Sequence, residues 1–172
     1  MAQERKSLSA ALAASIRAQL LAAENRTVPT LRKIRRTVTH RVKGLDAEDV
    51  VRLALQLLST RVVPKWFTYE VVHHHRHAMA HLTGTQIRQL GNGLAGWSEV
   101  DAFACYLAGP AWRDGRIGDK VVHRWAVAAD RWWRRVAVVS TVPLNNTARG
   151  RRYTPLQGEL DPDPPWPYHA AV

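Results

Sequence analysis

The chain has a single cysteine, Cys105, in 172 residues. No internal disulfide can form and no thiolate cage can hold a metal, and a lone thiol suits a reducing compartment. No apolar run approaches the length of a membrane span. The charged start, Met1 to Lys6, leads into an Ala-rich stretch broken by Arg17. That pattern reads as an amphipathic helix rather than a secretion signal. A cytoplasmic protein without a membrane partner is expected. Period-two alternation of apolar and polar residues is nearly absent, which argues against a sheet. Acids are scarce as well: 14 Asp and Glu stand against 25 Lys and Arg, a formal net charge of +11. Such a balance favours a polyanionic partner, because displacing counterions from phosphates rewards clustered cations. DNA or RNA fits best.

What is present in quantity is helical periodicity. Hydrophobic residues make up 46% of the chain, enough for a real core in one domain. Leu8, Leu12, Ile16 and Leu20 repeat every four residues behind Ser7, a candidate N-cap. Thr27 and Pro29 start a second helix with Leu31, Ile34, Val38 and Val42 on one side. Its remaining faces carry Arg32, Lys33, Arg35, Arg36, Arg41 and Lys43. A charge run is usually a solvated face, but nearly one sign of charge points Arg32, Arg35 and Arg36 toward phosphates. Asp46 is placed to cap a third helix, and Pro64 opens a fourth that should run to about Leu82. Shorter helices are expected over 86–94, from Ser98 to about Leu107 with a stop at Gly109-Pro110, over 119–129 and over 130–142. The fold class is therefore all-α. Successive antiparallel pairs suggest an α-solenoid of HEAT-like repeats, with a globular bundle as the plainer alternative. Residues 1–147 form this helical domain, and the proline-rich segment 148–172 is expected to be irregular.

Trp97 and Asp101 are four apart and share a helix face. With Ser98 as N-cap, Asp101 would complete a capping arrangement and Trp97 would be a staple against the core; caps far outnumber active sites. The chemical alternative is an acid beside a large aromatic face, an arrangement that attracts a cation. Trp125, Trp132 and Trp133 pose the same choice, and at least one of them should be core. Arg134 and Arg135 are adjacent, so they diverge around their helix: one can pair with an acid while the other meets a ligand. His73, His77 and His81 recur at four-residue spacing, yet a zinc site needs another ligand and no His-Glu-x-x-His order occurs. No metal and no cofactor are expected. Cys105 lies in an apolar helix and reads as a packed small residue.

The ordered set Trp97-x-x-x-Asp101, Gly109-Pro110-Ala111-Trp112-Arg113, Trp125-Ala126 and Arg131-Trp132-x-Arg134-Arg135-x-Ala137-Val138-Val139 resembles the bacterial DNA alkylation repair glycosylases of the AlkD type. Val28-Pro29-x-Leu31-Arg32 and Tyr69-Glu70 also look like that family's early repeats, so the similarity covers about residues 25–147. The resemblance implies a HEAT-like solenoid whose basic concave face grips duplex DNA, as a monomer. It implies excision of bases made cationic by alkylation, such as N3- or N7-alkylated purines, without metal or cofactor. Trp97 and Asp101 match the family's aromatic and acidic catalytic positions, and Arg135 its phosphate-contacting arginine, with Arg134 beside it. It also implies further repeats beyond the Arg135 helix, one with another active-site tryptophan. Here the chain turns proline-rich, and that tryptophan does not carry over to Trp166; the chain reads as a shortened member.

Two other readings compete. A catalytically inactive HEAT-repeat protein would bind damaged or branched DNA by charge and shape and would tolerate Asn at position 101. A protein-binding scaffold would have little use for a charge of +11.

Overall fold

A computed structural model describes residues 2–145 of the chain, so the segment 148–172, with Trp166, lies outside the described residues. Among those residues there are helices and no strand, and the protein is all-α as the periodicity predicts. Helix α1 (Ala2–Leu21) begins ahead of Ser7, which lies within it rather than capping it. Its Ile16 and Leu20 are fully buried. Helix α2 (Val28–Val42) takes Thr27 at its N-cap and Pro29 in its first turn, where a missing N–H leaves no bond unmade. It buries Leu31, Val38 and Val42. Helix α3 (Ala47–Leu58) follows Asp46, with Glu48 and Asp49 in its first turn complementing the positive end of the helix dipole.

The expected single helix from Pro64 to Leu82 is two. Helix α4 (Lys65–His73) stops, and α5 (Arg76–His81) starts after His75. The cause is the His75 side chain, buried at the junction, whose Nδ1 accepts the Ala78 N–H at 3.0 Å and so caps the new helix. Helix α6 (Gly84–Leu90) opens on a reciprocal cap: Thr83 Oγ1 accepts from Gln86 N–H at 3.2 Å, and Gln86 Oε1 accepts from Thr83 N–H at 2.9 Å.

The predicted stop at Gly109-Pro110 does not occur either. Helix α7 (Trp97–Phe103) runs through a π-helical turn (Ala104–Ala108) into α8 (Gly109–Arg113). Pro110 has no N–H to give the carbonyl of Tyr106 one turn back. That carbonyl is taken instead by His73 Nδ1, 2.8 Å away on α4. A wider turn and a donor from a neighbouring helix thus absorb the proline without ending the helix. Helices α9 (Asp119–Ala126) and α10 (Arg131–Val139) are each three residues shorter at the C-terminal end than their sequence patterns suggest. Asp130 caps α10 by accepting the Trp132 N–H at 2.8 Å.

Packing runs mainly between near neighbours in the chain: α1 on α3, α2 and α3 on α4, α4 on α7, and α7 and α9 on α10. Two glycines set how closely the last helices approach. A Cβ on Gly109 would lie 2.7 Å from the Ser140 carbonyl oxygen and 2.8 Å from Pro143 Cγ. A Cβ on Gly91, at the end of α6, would lie 2.7 Å from the rings of both Phe103 and Trp133.

Gly109→Ala is expected to destabilise by about 1–3 kcal/mol in urea unfolding, since backbone rather than a flexible tip must move. His75→Ala should cost about 1 kcal/mol through the lost cap, and His75→Asn much less. Burial first, then His77, holds His75 below its ordinary value. The native state therefore binds fewer protons than the unfolded chain just below pH ~6.5, and stability falls as pH drops through that window. Urea midpoints between pH 7.5 and 5 should show a smaller acid loss in His75→Asn than in the parent.

Candidate nucleic-acid interface

The first residues of α7 are arranged differently from the capping pattern. Gly96, not Ser98, is the N-cap, so Trp97 is the first helical residue. The acid that reaches back is Glu99: its Oε2 accepts the Ala95 N–H at 3.0 Å and lies 2.9 Å from Lys65 Nζ. The Lys65 ammonium also donates to the Gly93 carbonyl, tying the loop before α7 to the start of α4. The entry to α7 is thus braced by Glu99, and Asp101 takes no part in it. Nor is Trp97 a staple, being 65% exposed.

Released from the cap, Asp101 faces α10. Arg135 grips it with two parallel bonds, Nε to Oδ1 and Nη2 to Oδ2, each 2.9 Å. The same guanidinium lies over Trp97, 3.8 Å from the ring centroid. Trp132 stands edge-on to Trp97 at 6.4 Å and 85°, and Arg131 covers Trp132 at 4.6 Å. Trp97 and Asp101 on α7 therefore meet Arg131, Trp132 and Arg135 on α10, residues spaced three or four apart that a helix lines up on one side. The fork fixes the carboxylate's orientation and leaves the guanidinium further N–H groups for an anion. Half-exposed Asp101 and partly exposed Arg135 give the pair little stabilising value in water. The cluster is an open, pre-oriented combination of carboxylate, aromatic faces and cations.

The tryptophans divide clearly. Trp125 is buried, and Trp133 packs between it at 5.1 Å and Phe103 at 5.9 Å. Trp133 and Trp132 are both partly buried against the core, Trp133 turned toward Trp125 and Phe103 and Trp132 toward Trp97. Among the adjacent arginines Arg135 takes the acid, and Arg134 donates through Nη1 to the carbonyls of Ala128 and Ala129, 2.7 Å each, closing the turn between α9 and α10. Cys105 is partly buried beside this cluster; burial and then the Asp101 charge push its thiol pKa up, as for an inert packed thiol.

The α2 arginines do not act as one face. Arg32 and Arg36 are exposed, but Arg35 turns inward, with Nε 2.8 Å from Oε2 of the buried Glu70. Tyr106 lies against Glu70 too; burial and then the Glu70 charge hold its hydroxyl pKa above the ordinary range, keeping it a donor. The break at His74 also divides the histidine row. His73 is committed to the Tyr106 carbonyl, and only His77 and His81 stay stacked, centroids 6.4 Å apart. No group of three or more metal-ligating side chains is found among the described residues, and none of their helices is long and apolar enough to cross a membrane. Sequence reasoning quoted Glu70 only beside Tyr69 and foresaw none of the contacts of Glu70, Tyr106 and Glu99. Glu99 was findable, since a Glu three residues after Gly96 is a helix-start signal.

Comparison with known families matches residues 25–171 to the DNA alkylation repair enzyme family. The chain belongs to that family. No curated protein and no solved structure matches it. Membership in the DNA alkylation repair family gives the protein a role in DNA repair, and the match continues across the proline-rich segment.

Because Asp101 and Arg135 are partly exposed, a double-mutant cycle with Asp101→Asn and Arg135→Gln should give a coupling of only about 0.2–1 kcal/mol in stability. Both variants are expected to stay folded. A coupling of several kcal/mol in urea unfolding would mean that the pair is chiefly structural.

Proposed function

We propose that the protein is a DNA glycosylase that releases positively charged N3- or N7-alkylated purines from duplex DNA by hydrolysing the N-glycosidic bond. The observation that carries this reading is the Asp101 carboxylate, turned away from the helix start and held by the Arg135 fork beside an exposed tryptophan. A cationic base is already a good leaving group, so no general acid is required to protonate it. As the bond to the base breaks, positive charge builds on the deoxyribose. A fixed carboxylate stabilises that charge and can orient the attacking water, whose oxygen bonds to the sugar carbon as the base departs with the bonding electrons and whose proton passes by way of the carboxylate to solvent.

Trp97 offers its face to the sugar and the cationic base. Arg135 keeps Asp101 in register and directs its remaining N–H groups to a phosphate. Arg134 stiffens the turn from which α10 starts, and exposed Arg32 and Arg36 supply phosphate contacts farther along. Arg35, paired with Glu70, is a weaker candidate for that work. A HEAT-like solenoid with a continuous basic face, acting as a monomer on duplex DNA, is part of the same proposal.

The decisive assay is release of N7-methylguanine from duplex DNA by the parent and by Asp101→Asn at matched protein and salt. Release should fall about 100-fold or more in the variant, the usual scale for removing a transition-state charge stabiliser. Binding of the same duplex should change by no more than a few-fold. Equal release by both proteins would remove Asp101 from catalysis. Binding without release by the parent would favour a protein that recognises damaged or branched DNA by charge and shape.

A further inference from the structure

Helix α4 holds the helix of the candidate site from behind, through a row of residues spaced four apart. Lys65, Tyr69 and His73 share one face of α4. At one end of the row Lys65 Nζ lies 2.9 Å from Glu99 Oε2. In the middle the Tyr69 ring packs on Phe103, centroids 5.4 Å apart, and both residues are fully buried. At the other end His73 Nδ1 donates to the Tyr106 carbonyl, 2.8 Å away. Glu99, Phe103 and Tyr106 are themselves four and three apart, so the row on α4 is answered by a row along α7 and the π-helical turn that continues it.

Residues two apart on an α-helix stand about 200° from each other round its axis. Glu99 follows Trp97 by two, and Phe103 follows Asp101 by two. The side of α7 that α4 holds is therefore opposite the side that presents Trp97 and Asp101 to α10. A turn of α7 about its own axis would carry Asp101 away from the Arg135 fork, since two bonds of 2.9 Å tolerate little displacement. The ring contact in the middle of the row tolerates some rotation and sliding. The polar contacts at its two ends do not, because a hydrogen bond sets both a distance and a direction.

We infer that Lys65 and His73 are positioning residues for base removal, acting through Glu99 and Tyr106 to set the rotation of α7 and with it the place of the Asp101 carboxylate. The inference rests on the glycosylase reading of Asp101 and deepens it. Their work requires no contact with DNA. The Lys65 ammonium is taken by Glu99 and by the Gly93 carbonyl, and its side chain is only 19% exposed, so it has little to offer a phosphate. The Nδ1 proton of His73 is committed to Tyr106. Displacing a reacting group by about 1 Å can cost a hundredfold in rate, while phosphate contacts made elsewhere keep the duplex bound.

The test compares Lys65→Met and His73→Leu with Lys65→Arg and His73→Asn, whose side chains restore an N–H donor near the lost one. Each is made in the full chain. Single-turnover release of N7-methylguanine is followed well below the unfolding temperature of each variant, with duplex affinity measured alongside. The Met and Leu variants should lose about 10- to 100-fold in rate and no more than about twofold in affinity, and the Arg and Asn variants should recover most of the rate. On an Asp101→Asn background Lys65→Met should cost no further rate, because the group it positions is gone. A loss that simply adds to that of Asp101→Asn would place the damage elsewhere and overturn the inference, as would full activity in both Met and Leu variants. The readout independent of activity is the NMR signal of the Arg135 Nε–H, which reports the bond to Asp101. It should move in Lys65→Met and His73→Leu and stay in place in Lys65→Arg and His73→Asn; a signal unmoved in all four overturns the inference. If the parent releases no base, the glycosylase reading fails, and the Arg135 signal alone decides whether α4 sets the place of Asp101.

Discussion

The arrangement at Asp101 depends on how closely the α7–α8 helix can lie against the end of α10. Gly109 sets that distance, because its missing Cβ leaves space for the Ser140 carbonyl and for Pro143. About two turns away, Phe103 and Trp133 pack edge to face above Gly91, so the same approach is enforced at a second point by ring shape. With the two helices seated there, residues spaced four apart on α7 meet residues spaced three and four apart on α10. The Arg135 fork then reaches Asp101 and its plane falls on Trp97 without further adjustment. The core sets this geometry, and the exposed charges make use of it. That division matches a site whose ion pair contributes little to stability.

The continuous helix from Trp97 to Arg113 is itself a compromise with Pro110. A proline inside a helix ordinarily costs a hydrogen bond and kinks the axis. Here the helix widens over Ala104–Ala108, and His73 reaches across from α4 to satisfy the carbonyl that the proline leaves free. The bond also fixes the tautomer, since a nitrogen donating to a carbonyl must carry its proton. A histidine that the four-residue spacing groups with metal ligands is thus a joint between α4 and the helix of the candidate site. Glu70, one turn earlier on α4, makes a second joint by holding both Arg35 and Tyr106.

What could be read from the sequence followed from local spacing. All-α architecture, the α2 start at Thr27 and Pro29, the shared face of Trp97 and Asp101 and the divergence of Arg134 from Arg135 all depend on residues within a turn or two of each other. What could not be read came from contacts distant in sequence. Arg35 looks like its neighbours on α2 until Glu70, on another helix, claims it. The histidine run looks like one helix until His75 caps a new one, a buried role that spacing does not reveal. Gly109-Pro110 looks like a stop because the rescuing donor is 33 residues upstream of the Tyr106 carbonyl. The three tryptophans of α9 and α10 could not be sorted because their sides depend on the turn that Arg134 closes.

The charge distribution follows from the same selection. Of the arginines and lysines on the described helices, several are drawn into fixed duties: Arg35 on Glu70, Lys65 on Glu99, Arg134 on two carbonyls. The remaining exposed cations are spread over several helices and turns, among them Arg32, Arg36, Arg41, Lys43, Arg61, Arg76, Arg88, Arg116, Lys120 and Arg124, and Arg131 stands beside Trp132 at the candidate site. For the duplex DNA of the proposed reading, cations on several helices matter because contacts at separated points set the orientation of a rigid polyanion, whereas a single patch leaves it free to rotate. On the proposed glycosylase reading, the Asp101 carboxylate stands against the Arg135 guanidinium, so a phosphate bound by that guanidinium also orients the sugar presented to Asp101.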